Sequence, residues 1–223
     1  MQTALTSAPY QVLRRSAPDF YLPLPNFFAG LQFKGLAWLT VPWDAEIKEE
    51  IHGVRKFLHL PLDILIGPTP EYMREILSLE PACCTFANLQ RADTCFDLLL
   101  FAEQVRELLS SFPVTRSVLK VRLEPEPDQI KAAGKMGFSV VELDTSGLLQ
   151  GKVPRDKFIE CAKTAEKLTM KVAFGAEAPL PQLQWLLRVK VPDVLVVGTP
   201  FYQIALREGA EKAFDGVREI CRV

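Results

Sequence analysis

The chain is short of the side chains that most often carry protons and metals in enzymes. Its 223 residues include two histidines, His52 and His59. Both fall within or just after a helical pattern rather than at the end of a strand. Neither is placed as a general base, so Ser/His/Asp and Cys/His constellations lack a candidate. The five cysteines (Cys83, Cys84, Cys95, Cys161 and Cys221) form no C-x-x-C pair. Cys83 and Cys84, being adjacent, cannot share a strand face. Free thiols in a reducing compartment are expected, with no metal site. Charge bias is missing too. The 26 basic and 27 acidic residues leave a net charge of −1, which gives no nucleic-acid footprint and no polybasic membrane patch. No apolar run approaches the ~20 residues that a bilayer span needs. Residues 1–15 lack a basic region followed by a long apolar stretch. The expected setting is cytoplasmic. No strand-like run is followed by G-x-G-x-x-G, and there are no internal repeats or low-complexity linkers.

What is present is an alternation. Short apolar, β-rich runs occupy residues 36–41, 62–66, 82–87, 117–123, 138–143, 170–174 and 194–197. Amphipathic segments lie between and after them, at 45–58, 71–79, 95–110, 127–136, 155–168, 181–188 and 201–220. Strands separated by helices in this way specify right-handed βαβ units and a parallel sheet. Pro127-Asp128 and Pro154-Arg155-Asp156 open helices, and Gly134 with Gly137 closes one. Residues 1–34 hold four prolines (Pro9, Pro18, Pro23 and Pro25) and read as an irregular first unit. Its strand is placed near 3–8 and a short helix near 26–33. Eight units fit a single-domain α/β fold over 1–223, a (β/α)8 TIM barrel, with a doubly wound open sheet as the alternative. The apolar first segment, with Phe20, Tyr21, Phe27 and Phe28, would cover a barrel end, form a subunit contact or fill the core.

In such a barrel, chemistry sits at the carboxyl-terminal ends of the strands. The fifth and sixth strand patterns carry charge on one parity there. Lys120, Arg122 and Glu124 alternate with Leu119, Val121 and Leu123, while Glu142 and Asp144 flank Leu143. If that parity points inward, Arg122 and Glu142 should pair, because an unpaired buried charge costs several kcal/mol. Two readings follow. Glu142 is an acid/base group with Lys120, Arg122 and Asp144 around a substrate, or the charges are a structural ion pair filling the barrel. Gly198-Thr199, between the last strand and its helix, and Gly175, after the seventh, are candidate phosphate-binding positions.

The strand ends also resemble a known family. Residues 62–69, LDILIGPT, are similar to the pyridoxine 5′-phosphate synthase pattern L-N-L-E-M-A-P-T. Residues 124–130, EPEPDQI, resemble D-P-D-P-E-Q-I, and Val141-Glu142-Leu143-Asp144-Thr145 resembles V-E-L-H-T-G. Residues 172–176 fall where that family has V-N-A-G-H-G, and 197–199 where it has N-I-G-H. The order holds from residue 35 to residue 223. The resemblance implies a (β/α)8 barrel, oligomers of such barrels, and condensation of deoxyxylulose 5-phosphate with a phosphorylated amino-ketone without metal or organic cofactor. That reaction needs several proton carriers, and this chain departs at most of them. Pro42, Leu65, Ala176 and Thr199 stand at the family's histidine, glutamate, histidine and histidine positions, and Glu177 replaces a glycine. A Glu-Gly-Gly-Leu-Asp loop has no counterpart near 92–97. Glu142, Thr69, Gly175 and Gly198 survive, with Thr69 as a substrate contact. The expectation is a divergent barrel that binds or transforms a small phosphorylated metabolite. A non-catalytic metabolite- or protein-binding relative, and the original synthase, are the alternatives. A homo-oligomer is expected.

Overall fold

The computed structural model describes residues 1–16, 23–43, 48–68, 73–88, 95–111, 117–176 and 179–220. Eight strands form a closed, all-parallel barrel in sequence order: β1 (Gln2–Thr6), β2 (Leu39–Pro42), β3 (Leu62–Ile66), β4 (Cys83–Phe86), β5 (Val118–Leu123), β6 (Val140–Asp144), β7 (Lys171–Ala176) and β8 (Val194–Val197). Closure is made by β1, which pairs with β2 through Leu5 and Thr6 and with β8 through Gln2 to Leu5. The open-sheet alternative is therefore excluded.

Around the barrel run α1 (Ala8–Ser16), α2 (Leu24–Phe28), α3 (Lys48–Phe57), α4 (Met73–Ser78), α5 (Ala102–Ser111), α6 (Pro127–Lys135), α7 (Ser146–Leu149), α8 (Arg155–Lys167), α9 (Leu180–Val189), α10 (Thr199–Glu208) and α11 (Ala210–Ile220). Three expectations need correction. The first strand ends at Thr6 rather than at residue 8, and α1 starts at once, with Pro9 in its first turn, where a missing N–H costs nothing. The helix expected over 95–110 starts at Ala102, because Asp97 accepts from Leu100 N and Gln129 Nε2 and holds a turn instead. The last helix is two, split at Gly209 with φ +89°, a conformation that favours glycine. The first unit's short helix runs Leu24–Phe28 and continues as a 3-10 turn over Ala29–Leu31.

Strand parity sets the two faces of the barrel. Leu39, Val41, Ile64, Ile66, Phe86, Val121, Leu123, Val141, Leu143, Phe174 and Leu195 point outward into one apolar layer beneath the helices. Residues of the other parity fill the interior. Ala4, Trp38, Val140, Ala173, Val194 and Val196 form a separate apolar cluster there. Beside it lie the buried polar residues Thr40, Asp63, Thr85, Lys120 and Glu142. Phe28 is fully buried, and Phe27 stacks on Tyr202 with ring centroids 5.6 Å apart. Of the first segment's aromatics, Phe28 is core and Phe27 packs half-buried against it; Phe20 and Tyr21 lie outside the described residues. Gly137, at φ +86°, ends α6, while Gly134 brings that helix against Leu168, whose Cδ1 would lie 2.9 Å from an added Cβ.

Candidate functional site

The site begins with a lysine at the centre of the barrel. Lys120 is on β5, has no exposed surface, and places its ammonium 2.7 Å from Asp63 Oδ2 and 2.7 Å from Glu142 Oε2. Its Nζ also lies 4.9 Å from the Trp38 ring centroid, a cation–π contact that closes the lower side. Burial pulls the lysine's pKa down, and the Asp63 and Glu142 carboxylates push it up. The balance lies above the ordinary lysine value, so Lys120 is an ammonium.

Asp63 is saturated. Thr40 Oγ1 donates to its Oδ2 at 2.8 Å and Thr85 Oγ1 to its Oδ1 at 2.5 Å. Glu142 is not. Lys120 occupies Oε2, while Oε1 faces Gly175, where an added Cβ would lie 2.9 Å away. Gly175 thus makes room for the carboxylate inside the barrel.

Arg122 and Glu142 are register partners on β5 and β6, and both turn inward as the parity argument requires. Their expected pairing is loose: Arg122 Nε stands 3.7 Å from Glu142 Oε1, beyond hydrogen-bonding reach. The close partner is the diagonal neighbour, Lys120. Arg122 instead donates from Nη2 to Asp144 Oδ1 at 3.3 Å, and Ser146 Oγ donates to the other oxygen of Asp144. Arg122 Nε is buried and finds no hydrogen-bond acceptor among the described residues. Thr145 Oγ1 donates to the Gly175 carbonyl at 2.6 Å and ties β6 to β7 at this level.

Thr6, Thr40, Leu65, Arg122, Glu142, Gly175 and Val196 line a cavity of 20 Å³ under the mouth. That is room for about one water molecule. The other predicted positions are scattered around it. Gly198 precedes α10 and its carbonyl accepts from Phe201 N at 3.0 Å, while Pro200 offers no N–H. The first turn beside Thr199 therefore has fewer free donors than a helix start usually presents. Thr69 and Glu177 lie outside the described residues, as does Cys221. His52 is on α3 and His59 is exposed ahead of β3, both in the outer layer. Burial raises the thiols of Cys84 and Cys95 to about 12, so neither is a thiolate near neutrality.

Asp63, Thr40, Thr85 and Trp38 were not singled out from the sequence. Asp63 carried a readable signal, since an aspartate at an inward position of an apolar strand must find a buried cation.

The family model described as "Pyridoxal phosphate biosynthesis protein PdxJ" matches residues 46–223. A pyridoxine 5′-phosphate synthase of Geobacter sp. (strain M21) is 25% identical over 131 residues, 56% of this chain and 55% of that protein. The enzyme of the same name from Desulfatibacillum aliphaticivorans is 22% identical over 179 residues, 78% of this chain and 76% of that protein. The chain spans about half the length of the first of these relatives. Among solved structures, the tryptophan synthase α-subunit of Pyrococcus furiosus superposes with a TM-score of 0.60 at 15% identity, covering 100% of this chain and 98% of that one. The tryptophan synthase of M. tuberculosis gives 0.63 at 12% identity, covering 99% and 91%. These likenesses establish the barrel fold. With the family model covering most of its length, the chain belongs to the PdxJ family of pyridoxal phosphate biosynthesis proteins.

Proposed function

We propose that this is a divergent member of the family that transforms a small phosphorylated metabolite by proton transfer at Glu142, without running the synthase reaction of its relatives. One observation carries the reading. The Glu142 carboxylate is 4% exposed, fixed through Oε2 by Lys120, and turns Oε1 toward the cavity beneath the mouth. A carboxylate anchored on one side and open on the other suits a general base. Lys120 and Asp63 position it, and Arg122 and Asp144 border the ligand. The phosphate belongs at the outer rim, near Gly198 and Thr199, while Gly175, against the Glu142 carboxylate, leaves room for the ligand rather than for its phosphate. A phosphorylated ligand is supported by the family and by the relatives' name, pyridoxine 5′-phosphate synthase. Loss of the synthase reaction is supported by Pro42, Leu65 and Ala176, none of which transfers a proton.

The test is hydrogen exchange at carbon. Dihydroxyacetone phosphate is incubated with the protein in D2O and its C–H signals are followed by NMR. Exchange above the buffer rate, falling at least ~100-fold in Glu142→Gln, is expected. Binding of the phosphate ester with exchange at the buffer rate would instead establish the second reading, a non-catalytic metabolite-binding relative.

A further inference from the structure

Two groups at the top of the barrel interior are incomplete, and they are incomplete in complementary ways. Arg122 Nε–H is a buried donor without an acceptor among the described residues. Glu142 Oε1 is an acceptor left open by Lys120, which takes the other oxygen. The two atoms are 3.7 Å apart and border the same cavity. That separation is too long for a direct hydrogen bond. A single oxygen can nonetheless sit about 2.7–2.9 Å from each, accepting from the arginine and donating to the carboxylate. Buried polar groups are nearly always satisfied, so an open donor beside an open acceptor calls for a ligand atom that is both.

Charge narrows the class further. Three carboxylates, Asp63, Glu142 and Asp144, surround two cations, Lys120 and Arg122. An anionic group entering the cavity would meet Glu142 Oε1 in a poorly screened interior. A carbonyl would satisfy Arg122 but leave the carboxylate facing a second acceptor. The geometry points to a hydroxyl subsite: the ligand's uncharged hydroxyl enters the barrel between Arg122 Nε and Glu142 Oε1, and Arg122 determines that specificity. This rests on the proposed proton-transfer reading for the identity of the site, and it places the phosphate outside the cavity.

The experiment follows the Arg122 Nε–H resonance in ¹⁵N-labelled protein during titration with glycerol, glycerol 3-phosphate and inorganic phosphate. Glycerol and glycerol 3-phosphate should each shift it, and inorganic phosphate should not. Glycerol 3-phosphate should bind about tenfold more tightly than inorganic phosphate, the contribution of one hydrogen bond to a charged group. Arg122→Met and Arg122→Lys should both remove that advantage, because lysine keeps the charge but has no Nε–H at that position. Far-UV circular dichroism and the melting curve show whether each variant is folded.

If glycerol shifts the resonance and no phosphate compound binds, the subsite stands and the phosphorylated-ligand reading fails. If glycerol 3-phosphate binds while the resonance stays fixed and both variants bind it normally, the subsite is wrong and the reading survives. Binding of inorganic phosphate with a shift of Arg122 Nε–H would also overturn the subsite. So would no response to glycerol or its phosphate, which would mean the cavity holds water alone.

Discussion

Asp63 and Glu142 grip the same lysine from opposite sides, but the levels of the barrel they belong to are finished differently. The Asp63 carboxylate itself is fully matched, by Thr40, Thr85 and Lys120, with the Trp38 ring beneath, whose buried indole N–H has no acceptor among the described residues. One step toward the mouth, among the described residues, Glu142 keeps an oxygen open and Arg122 keeps a buried N–H unmatched. The lower level behaves as core, a polar substitute for the packed aliphatic layers common inside such barrels. At the upper level an open donor and an open acceptor border one cavity, and that pairing, which the lone indole N–H below lacks, marks a place where something else completes the bonding.

Removing the lysine should give the largest effect and the sharpest break of this contrast. Lys120→Met leaves two buried carboxylates facing each other and is expected to cost about 3–5 kcal/mol in urea unfolding. Adding Asp63→Asn and Glu142→Gln to it should recover much of that loss, since the unmatched charges are then gone. A cost under ~1 kcal/mol for the single change would show that the lower level is not the closed network described. The pH dependence has a defined sign. The folded pKa of Lys120 lies above its unfolded value, so its contribution is complete below the ordinary lysine pKa of about 10.4 and is lost as pH climbs through the folded value. The stability gap between wild type and Lys120→Met should stay level from pH 7 to 10 and narrow above that.

Much of this was legible in the residues, for identifiable reasons. The alternation of β-rich runs and amphipathic segments pointed to a parallel α/β architecture, and strand parity grouped Lys120, Arg122 and Glu142 on one face, which the closed barrel turns inward. Parity does not say which cation a carboxylate will choose. Glu142 lies opposite Arg122 in register, yet the shorter bond goes diagonally to Lys120, because the ammonium is held at mid-barrel by Asp63. Asp63 was overlooked because it sits singly in an apolar strand, LDILI. The split of the final helix depends on the left-handed backbone at Gly209, whose conformation a continuous amphipathic pattern conceals. The aromatic contacts joining α2 to α10 link the first unit to the last, and no local pattern reports such long-range packing.

Gly175 lies on the boundary between the two levels and gives an intermediate effect. In Gly175→Ala, the new Cβ would sit 2.9 Å from Glu142 Oε1, and the carboxylate cannot retreat without stretching its bond to Lys120. Overpacking of this kind is expected to cost about 1–3 kcal/mol. It should also tilt Oε1 away from the cavity. Exchange in D2O should therefore fall in this variant even at temperatures where it is fully folded. A stable Gly175→Ala protein with unchanged exchange would mean that the open oxygen is not the one that works.

Asp144 should show the smallest effect on stability and so tests whether the mouth is structural at all. Its bond to Arg122 is 3.3 Å long and both side chains are partly exposed, at 16% and 25%. A pair in that setting contributes about 0–1 kcal/mol, so Asp144→Asn should unfold within that margin of the wild type. The ligand side should respond in the opposite sense. Replacing the aspartate removes one of three carboxylates while Glu142 Oε1 and Arg122 Nε stay in place. Inorganic phosphate should then bind more tightly than to the wild type, and glycerol should bind as before. Stability loss comparable to that of Lys120→Met would instead merge the two levels into one structural network, leaving the mouth no less a part of the core than Asp63.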